Sequence, residues 1–417
     1  LSNGPTPPRA RTLRVVAHAF VLIVTRATGF AGMDRSIFTT RMATFGRLLD
    51  GRADLAFIPT GTDLHYLAGV PRDIPNYGAT LHPGGWLEGA WMAPGQDPIL
   101  ALPRMTAEYG GLGATKGIEV RVLGDFDDPA AFARAIIAGV RLPARPRIAI
   151  SEFAHAESTI HLQALLPDAI FVSATAILRE LRVIKSEDEI ATMREAGRIT
   201  EAAFADVIPR LRFGMTELDV VTEVDFQMRR HGSLGATFTT SLYNSGPNHP
   251  LLMGQRLATW KRVLQPPVSV LFDFGASHDG LCYDFGRTVC FGAPSAEQVR
   301  VHGLIMASQA AGIAALKAGS TTCEAVDGVA RQVIAEAGYG AYFRHRLGHA
   351  IGWDVHEPPF LTKGDATPVR QGMLFTVEPS IFQASGASAR VEDVIVARPA
   401  GGEALTRGFQ ELIVVDR

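Results

Sequence analysis

The chain has 417 residues, 47% of them hydrophobic and 20% charged, with 40 basic and 42 acidic side chains and a formal net charge of −2. That balance lacks the basic excess a nucleic-acid partner demands, and the apolar fraction suffices for two or three domains with buried cores. Cys282, Cys290 and Cys323 include no CxxC pair, which excludes a disulfide scaffold and fits a reduced, cytoplasmic setting.

Residues 1–33 open on a Pro-rich stretch, and Val15–Val24 is a mostly apolar run behind Arg9, Arg11 and Arg14. A basic stretch before an apolar run has the character of a secretion signal. His18 interrupts it, however, and the run is too short to span a membrane. We expect a poorly structured extension ahead of Met33, the natural start, and no membrane association.

Residues 34–178 read as an α/β domain. A helical period runs from Ile37 to Leu49, followed by a strand at Leu55-A-F-I and a turn at Pro59-T-G-T-D. Helix resumes at Leu64-H-Y-L-A-G. Further strands are predicted at Gly89-A-W-M, Pro98-I-L-A-L, Ile118-E-V-R-V-L and Arg147-I-A-I, with helices between them. The alternation predicts a parallel or mixed sheet covered by helices. Gly111-L-G-A-T-K lacks the spacing of a phosphate-binding loop and reads as a plain connection. Residues 179–188 are charged and read as a linker running into a helix, with Ser186 and Glu189 as its capping box.

Residues 185–417 carry an internal repeat with an offset of about 105 residues. Arg210-L-R-F-G-M-T-E-L-D-V-V, ending at Gly232, parallels Ala315-L-K-A-G-S-T-T-C-E-A-V, ending at Gly338. Each copy predicts helix, turn, helix, and then a strand with an embedded acid: Val270-L-F-D in the first and Met373-L-F-T-V-E in the second. Two halves related by pseudo-two-fold symmetry would bring those strands together. Asp273 and Asp284 would then meet His349, Glu378 and Glu392 on a seam of rigid strands. Carboxylates in apolar strands cannot all stay ionised without cations, because desolvation and like charge both oppose it. Two divalent ions would balance four carboxylates, which points to a two-metal hydrolase. His345 and His349 have the i, i+4 spacing of a helical zinc site, but Arg346 stands where a glutamate belongs, and Gly348 and Gly352 weaken a helix. An extended segment is expected there instead.

These motifs together resemble the pita-bread metallopeptidases, the family of creatinase, prolidase, aminopeptidase P and methionine aminopeptidase. The resemblance rests on L-F-D-F-G, Y-D-F-G-R-T, L-G-H-A-I-G, V-E-P and R-V-E-D, and more weakly on Thr62-D-L-H-Y-L-A-G for a creatinase-type N-terminal domain. It implies an α/β (α+β) fold, with that N-terminal domain over 34–178 and a pita-bread catalytic domain over 185–417. It implies Asp273, Asp284, His349, Glu378 and Glu392 as ligands of two divalent ions, with Mn favoured over Co or Zn for so oxygen-rich a set. Glu378 would carry the proton, and His356 would steady the tetrahedral intermediate. His345 would be a second pocket histidine, and Arg390 an outer partner of a ligand carboxylate that helps to hold substrate. The substrate would be a small peptide, cleaved as an Xaa-Pro aminopeptidase or dipeptidase, and the assembly a homodimer. One departure concerns the pocket histidine about seventeen residues before the first ligand: that register holds Arg256, with His249 seven residues earlier. Either His249 reaches the pocket through a loop shift, or an arginine there selects a substrate carboxylate, or both lie on a solvated loop, since Gly246-P-N-H-P reads as a turn. The alternatives on the same scaffold are a small-molecule hydrolase or lyase and a metal-free binding module.

Overall fold

The computed structural model describes residues 36–70, 82–109, 118–253 and 256–417. The expected N-terminal extension with Met33 and the Gly111–Lys116 connection lie outside the described residues, as does the side chain of Arg256. Phe38, Met42, Phe45 and Leu49 recur at helical spacing, and helix α1 (Ser36–Leu49) buries that face. The apolar strand β1 (Leu55–Pro59) is buried throughout. Helix α2 (Thr62–Ala68) follows and ends at Gly69, whose φ of 68° lets the chain turn away.

The rest of this half comprises β2 (Gly89–Met92), β3 (Ile99–Pro103), α3 (Arg104–Tyr109), β4 (Glu119–Leu123), α4 (Pro129–Ala138), β5 (Arg147–Ile150), α5 (Ala156–Leu165), β6 (Ile170–Ser173) and α6 (Thr175–Val183). The strands form one mixed sheet in the order β4-β3-β2-β1-β5-β6. β1–β5, β5–β6 and β3–β4 are parallel, and β1–β2 and β2–β3 are antiparallel. The expected linker at 179–188 is a correction, because it is helix at both ends. It comprises the end of α6, a short link, and the start of α7 (Glu187–Val207). Its charges mislead because Arg182 and Lys185 are buried and ion-paired rather than solvated.

The repeat has its counterpart in space. Ser186 caps α7 through the expected capping box. After α7 come α8 (Glu217–Arg230), β7 (Ser241–Ser245), the short α9 (Arg256–Thr259), β8 (Val268–Phe274), the ribbon β9 (Ser277–His278) and β10 (Leu281–Cys282), and β11 (Phe285–Phe291). The second copy runs α10 (Ala296–Ala315), α11 (Cys323–Glu336), β12 (Gly348–Ala350), β13 (Glu357–Leu361), β14 (Leu374–Val377), the ribbon β15 (Ser380–Ile381) and β16 (Ala389–Arg390), and β17 (Asp393–Arg398). β18 (Gly401–Ala404) and β19 (Ile413–Val415) close the chain. Thr216 and Thr322 occupy matching caps on α8 and α11.

Two sheets result, β19-β11-β8-β7 and β13-β12-β14-β17-β18. Each is centred on an antiparallel pair, β8–β11 or β14–β17, interrupted by a small ribbon. A bridge between Gly286 and Glu392 joins the two pairs. Gly286 is needed there, because a Cβ would lie 2.9 Å from the Cβ of Glu392. Beneath β8 and β11, Phe204 of α7 meets the rings of Phe272, Phe274, Phe285 and Phe409. Among the described residues no helix is long and apolar enough to cross a membrane.

Candidate active site

The two strand pairs present acids at equivalent places. Asp273 is the penultimate residue of β8 and Asp284 immediately precedes β11; Glu378 follows β14 and Glu392 precedes β17. Side chains alternate along a strand, so Phe272 and Phe274 point into the aromatic core while Asp273 faces the other way. His349 lies on β12, an extended segment as expected, and joins the acids from the second half. His349, Glu378 and Glu392 offer ligand atoms within 4.8 Å of one another, as do Asp273, Asp284 and Glu392. A third such group, Asp284, His349 and His356, brings in a histidine that the sequence reading had assigned to substrate instead.

Electrostatics describe a site short of positive charge. Burial, followed by repulsion from Asp273 and Glu378, raises the pKa of Asp284 well above the carboxylate range. Burial, followed by Asp284 and Glu378, does the same to Glu392. Burial pushes Glu378 up to about 7 against the pull of Arg390, with Asp273 adding to the rise. Asp284 Oδ1 and Glu392 Oε2 are buried without a hydrogen-bond partner. Such atoms are costly unless a cation meets them. The Nδ1–H of His349 donates to the Ala350 carbonyl at 3.1 Å, which leaves Nε2 as a lone pair 3.7 Å from Asp284 and 3.5 Å from Glu378. This is the tautomer a metal requires. The donor set, four carboxylates and a neutral imidazole, therefore fits a pair of divalent ions.

Arg390 supplies the compensating charge in this structure. Its guanidinium lies 2.5 Å from Asp273 and 3.1 Å from Glu378, and Nε donates to Ser380. The other groups line one cavity of about 820 Å³ with these residues. His345 donates from Nδ1 to the Arg346 carbonyl, and burial, followed by Arg390, drives its pKa down to about 3, so it is neutral at physiological pH. His356 is exposed to the cavity, and its ring centroid is 3.9 Å from that of His349. Arg346 donates to His356 Nδ1 at 3.2 Å. A guanidinium cannot accept, so His356 carries its proton on Nε2 in this arrangement.

His249 is a correction. It is buried, at 2% exposure, in the Gly246–His249 turn, where its Nε2 accepts from the Gln265 amide, and it does not line the cavity. Four residues on, Met253 faces the cavity instead, beside Phe238 and Tyr243. Arg346 is a second group the sequence reading missed. It lies in the cavity, stacks on Phe360, and forms no ion pair with a carboxylate among the described residues. The signal was its place next to His345, but nothing in the sequence set the direction of its side chain.

The fold and this cluster of acids and histidines define a metal-dependent hydrolase of the pita-bread type. The chain belongs to metallopeptidase family M24, whose sequence profile matches residues 191–399. It is 35% identical over 259 residues to the Xaa-Pro dipeptidase of Lactobacillus delbrueckii subsp. lactis, covering 61% of this chain and 69% of the relative. It is 34% identical over 243 residues to the Xaa-Pro dipeptidase of Pyrococcus horikoshii, covering 58% and 68%. Among solved structures, a Pyrococcus horikoshii dipeptidase superposes with a TM-score of 0.78 at 28% identity, over 90% of this chain and 100% of the other. An X-Pro aminopeptidase from Thermotoga maritima gives 0.72 at 25% identity, over 89% and 99%. The chain is thus a peptidase, and these likenesses favour that expectation over a small-molecule lyase or a metal-free binding module.

Proposed function

We propose that the chain hydrolyses the peptide bond before proline in dipeptides and short peptides, using two divalent ions held by Asp273, Asp284, His349, Glu378 and Glu392. The observation that carries the reading is the convergence of those five side chains, with two buried carboxylate oxygens lacking any hydrogen-bond partner. When bound, the ions would polarise the scissile carbonyl and make water acidic enough to attack near neutral pH. Glu378 takes the proton of the attacking water and returns it to the leaving nitrogen, the two transfers expected of a general base that then acts as general acid. His356 donates from Nε2–H to the oxygen on which charge develops. His345, neutral and half-buried, shapes the pocket beside Phe382.

The apolar walls, Tyr243, Phe382, Phe360 and Met253 among them, suit a pyrrolidine ring. The guanidinium of Arg346, which has no carboxylate partner among the described residues, favours a substrate whose carboxylate lies close to the reaction centre, through a charge-assisted pair. That supports dipeptides over longer chains, the role first considered for Arg256. The oxygen-rich ligand set favours Mn. Buried free cysteines suit a cytoplasmic enzyme, and a homodimer is the assembly implied by the family resemblance. The test is metal analysis of the purified protein, followed by chelation and add-back of Mn, Co and Zn against Xaa-Pro dipeptides and tripeptides. Restored cleavage at two ions per chain supports the reading. Full cleavage by metal-free protein overturns it.

A further inference from the structure

The motif Thr62-D-L-H-Y-L-A-G has no part in the site chemistry above, yet it begins in a buried cluster of charge that includes Asp354 and Glu357, the residues on either side of His356. Asp63 is 3% exposed and meets Arg182 Nη1 at 2.7 Å. The other Arg182 nitrogen reaches Asp354 at 2.5 Å and Glu357 at 2.6 Å. Lys185, also buried, meets the second oxygen of Glu357 at 2.7 Å. Thr62 donates its hydroxyl to Asp354 at 2.6 Å, and Ser151 donates to Asp63 at 2.6 Å. The cluster thus joins α2 and the end of β5, from the first sheet's half, to residues 354 and 357 of the catalytic half.

His356 sits between those two residues. Residues 352–356 form a run of bends ahead of β13 and have no strand ladder of their own. Two backbone hydrogen bonds, from Cys282 to Gly352 at 2.7 Å and from Gly352 to Asp354 at 3.0 Å, anchor its start, and side chains hold the rest. Besides the Arg182 contacts, the Asp354 amide donates to Glu357 at 3.0 Å, and the Trp353 indole donates to Glu189, which is paired in turn with Arg41 of α1. Buried ion pairs contribute little net stability relative to apolar packing, and their best-attested use is to fix one arrangement. The Glu357 carboxyl shows how tightly this one is set: burial would raise its pKa, but Lys185 and Arg182 outweigh that and hold it down at about 2.

We propose that Thr62 and Asp63 are positioning residues for the peptidase reaction: through Arg182 and Asp354 they hold the bend that aims His356 at the substrate. The proposal rests on the reading that His356 touches substrate. It assigns the first half of the chain a part in turnover as well as in covering the site. Because a group displaced by about 1 Å can cost roughly a hundredfold in rate, a loosened brace should lower turnover without emptying the metal site.

The experiment compares Asp63→Asn, Asp63→Glu and Thr62→Val, each in the wild-type and His356→Ala backgrounds, with Mn-loaded full-length protein and an Xaa-Pro dipeptide. For Asp63→Asn we expect kcat to fall roughly 10- to 100-fold, with KM within a few-fold and the metal content of wild type. Asp63→Glu should recover part of the loss. In the His356→Ala background Asp63→Asn should cost nothing further, because the two act as one unit. Full multiplication of the two losses overturns the proposal, as does a brace variant with wild-type kcat. Thr62→Val, which deletes only one hydroxyl, carries the same comparison if Asp63→Asn fails to fold. A readout independent of turnover is the His356 ring resonance in labelled, metal-free protein, assigned by its loss in His356→Ala. It should shift or broaden in Asp63→Asn and Thr62→Val, and an unmoved resonance also overturns the brace. If the wild-type protein cleaves no Xaa-Pro substrate, the functional reading fails, while the resonance still decides whether the brace holds the ring.

Discussion

Replacing Phe204 tests whether the acids are positioned from beneath. Phe204 is fully buried on α7, with ring centroids 5.2 Å from Phe272, 5.8 Å from Phe274, 5.7 Å from Phe285 and 5.1 Å from Phe409. Truncating a buried phenylalanine to alanine costs about 3–5 kcal/mol through lost burial and the cavity left behind. Four tilted or edge-on ring contacts, each worth about 0.5–1.5 kcal/mol beyond area, place Phe204→Ala at the top of that range, about 5 kcal/mol. Phe204→Leu keeps most of the volume and should cost about half as much. The assay is denaturant unfolding of metal-free protein in chelator, wild type beside both variants. The same substitution should reach the metal site, because Phe272 and Phe274 flank Asp273 and Phe285 adjoins Asp284. Disturbing the support of a ligand typically lowers metal affinity about 10- to 100-fold, readable by competition with a chromophoric chelator. A loss below about 2 kcal/mol for Phe204→Ala, or unchanged metal affinity in a variant that has lost stability, would refute this account.

Three further predictions concern single side chains. Glu378→Gln keeps the shape of the site and removes the proton carrier, so kcat should fall roughly 10²–10⁴-fold; near-normal turnover would move the base elsewhere. Glu357, held at about 2 against an ordinary 4.5, contributes about 3 kcal/mol. Its folded value is depressed, so that contribution is complete above pH about 4.5 and is lost as pH falls toward 2. The stability gap between wild type and Glu357→Gln in chelator should therefore narrow between pH 6 and pH 3, and a gap independent of pH contradicts the pairing. Arg346→Met should raise KM for Xaa-Pro dipeptides while leaving that for their C-terminal amides little changed. Equal effects on both substrates would remove the carboxylate role.

Much of the architecture was legible because its signals are local. The strands at Leu55, Gly89, Arg147 and Val270 are short apolar runs bounded by turn residues, and Asp273 sits near the end of the last of them. The repeat was legible because both copies kept the same turn and cap chemistry at Thr216 and Thr322. What misled was charge whose partner is distant in sequence. Arg182 and Lys185 look solvated until residues 354 and 357 fold against them, and only a short link between two helices remains of the expected linker. His249 missed its expected place for a similar reason. The Gly246–His249 turn and the amide of Gln265 fix the ring away from the cavity, and neither constraint can be read from the spacing to Asp273. Arg390 was expected as an outer partner of one carboxylate; it spans Asp273 and Glu378, contributed by strand pairs of different halves.

The mirrored strand pairs bear on how the chain could be divided. Neither half of the repeat owns enough ligands to retain an ion pair: one contributes Asp273 and Asp284, the other His349, Glu378 and Glu392. His349, Glu378 and Glu392 could hold one ion within the second half, but a second ion needs the first half's Asp273 and Asp284. One covalent chain gives the meeting of the two halves an effective concentration in the millimolar range or above. The Gly286–Glu392 bridge is one place where the halves touch. A chain cut between β11 and α10 would make the site bimolecular, and metal uptake by the mixed fragments would then report how strongly the two halves recognise each other.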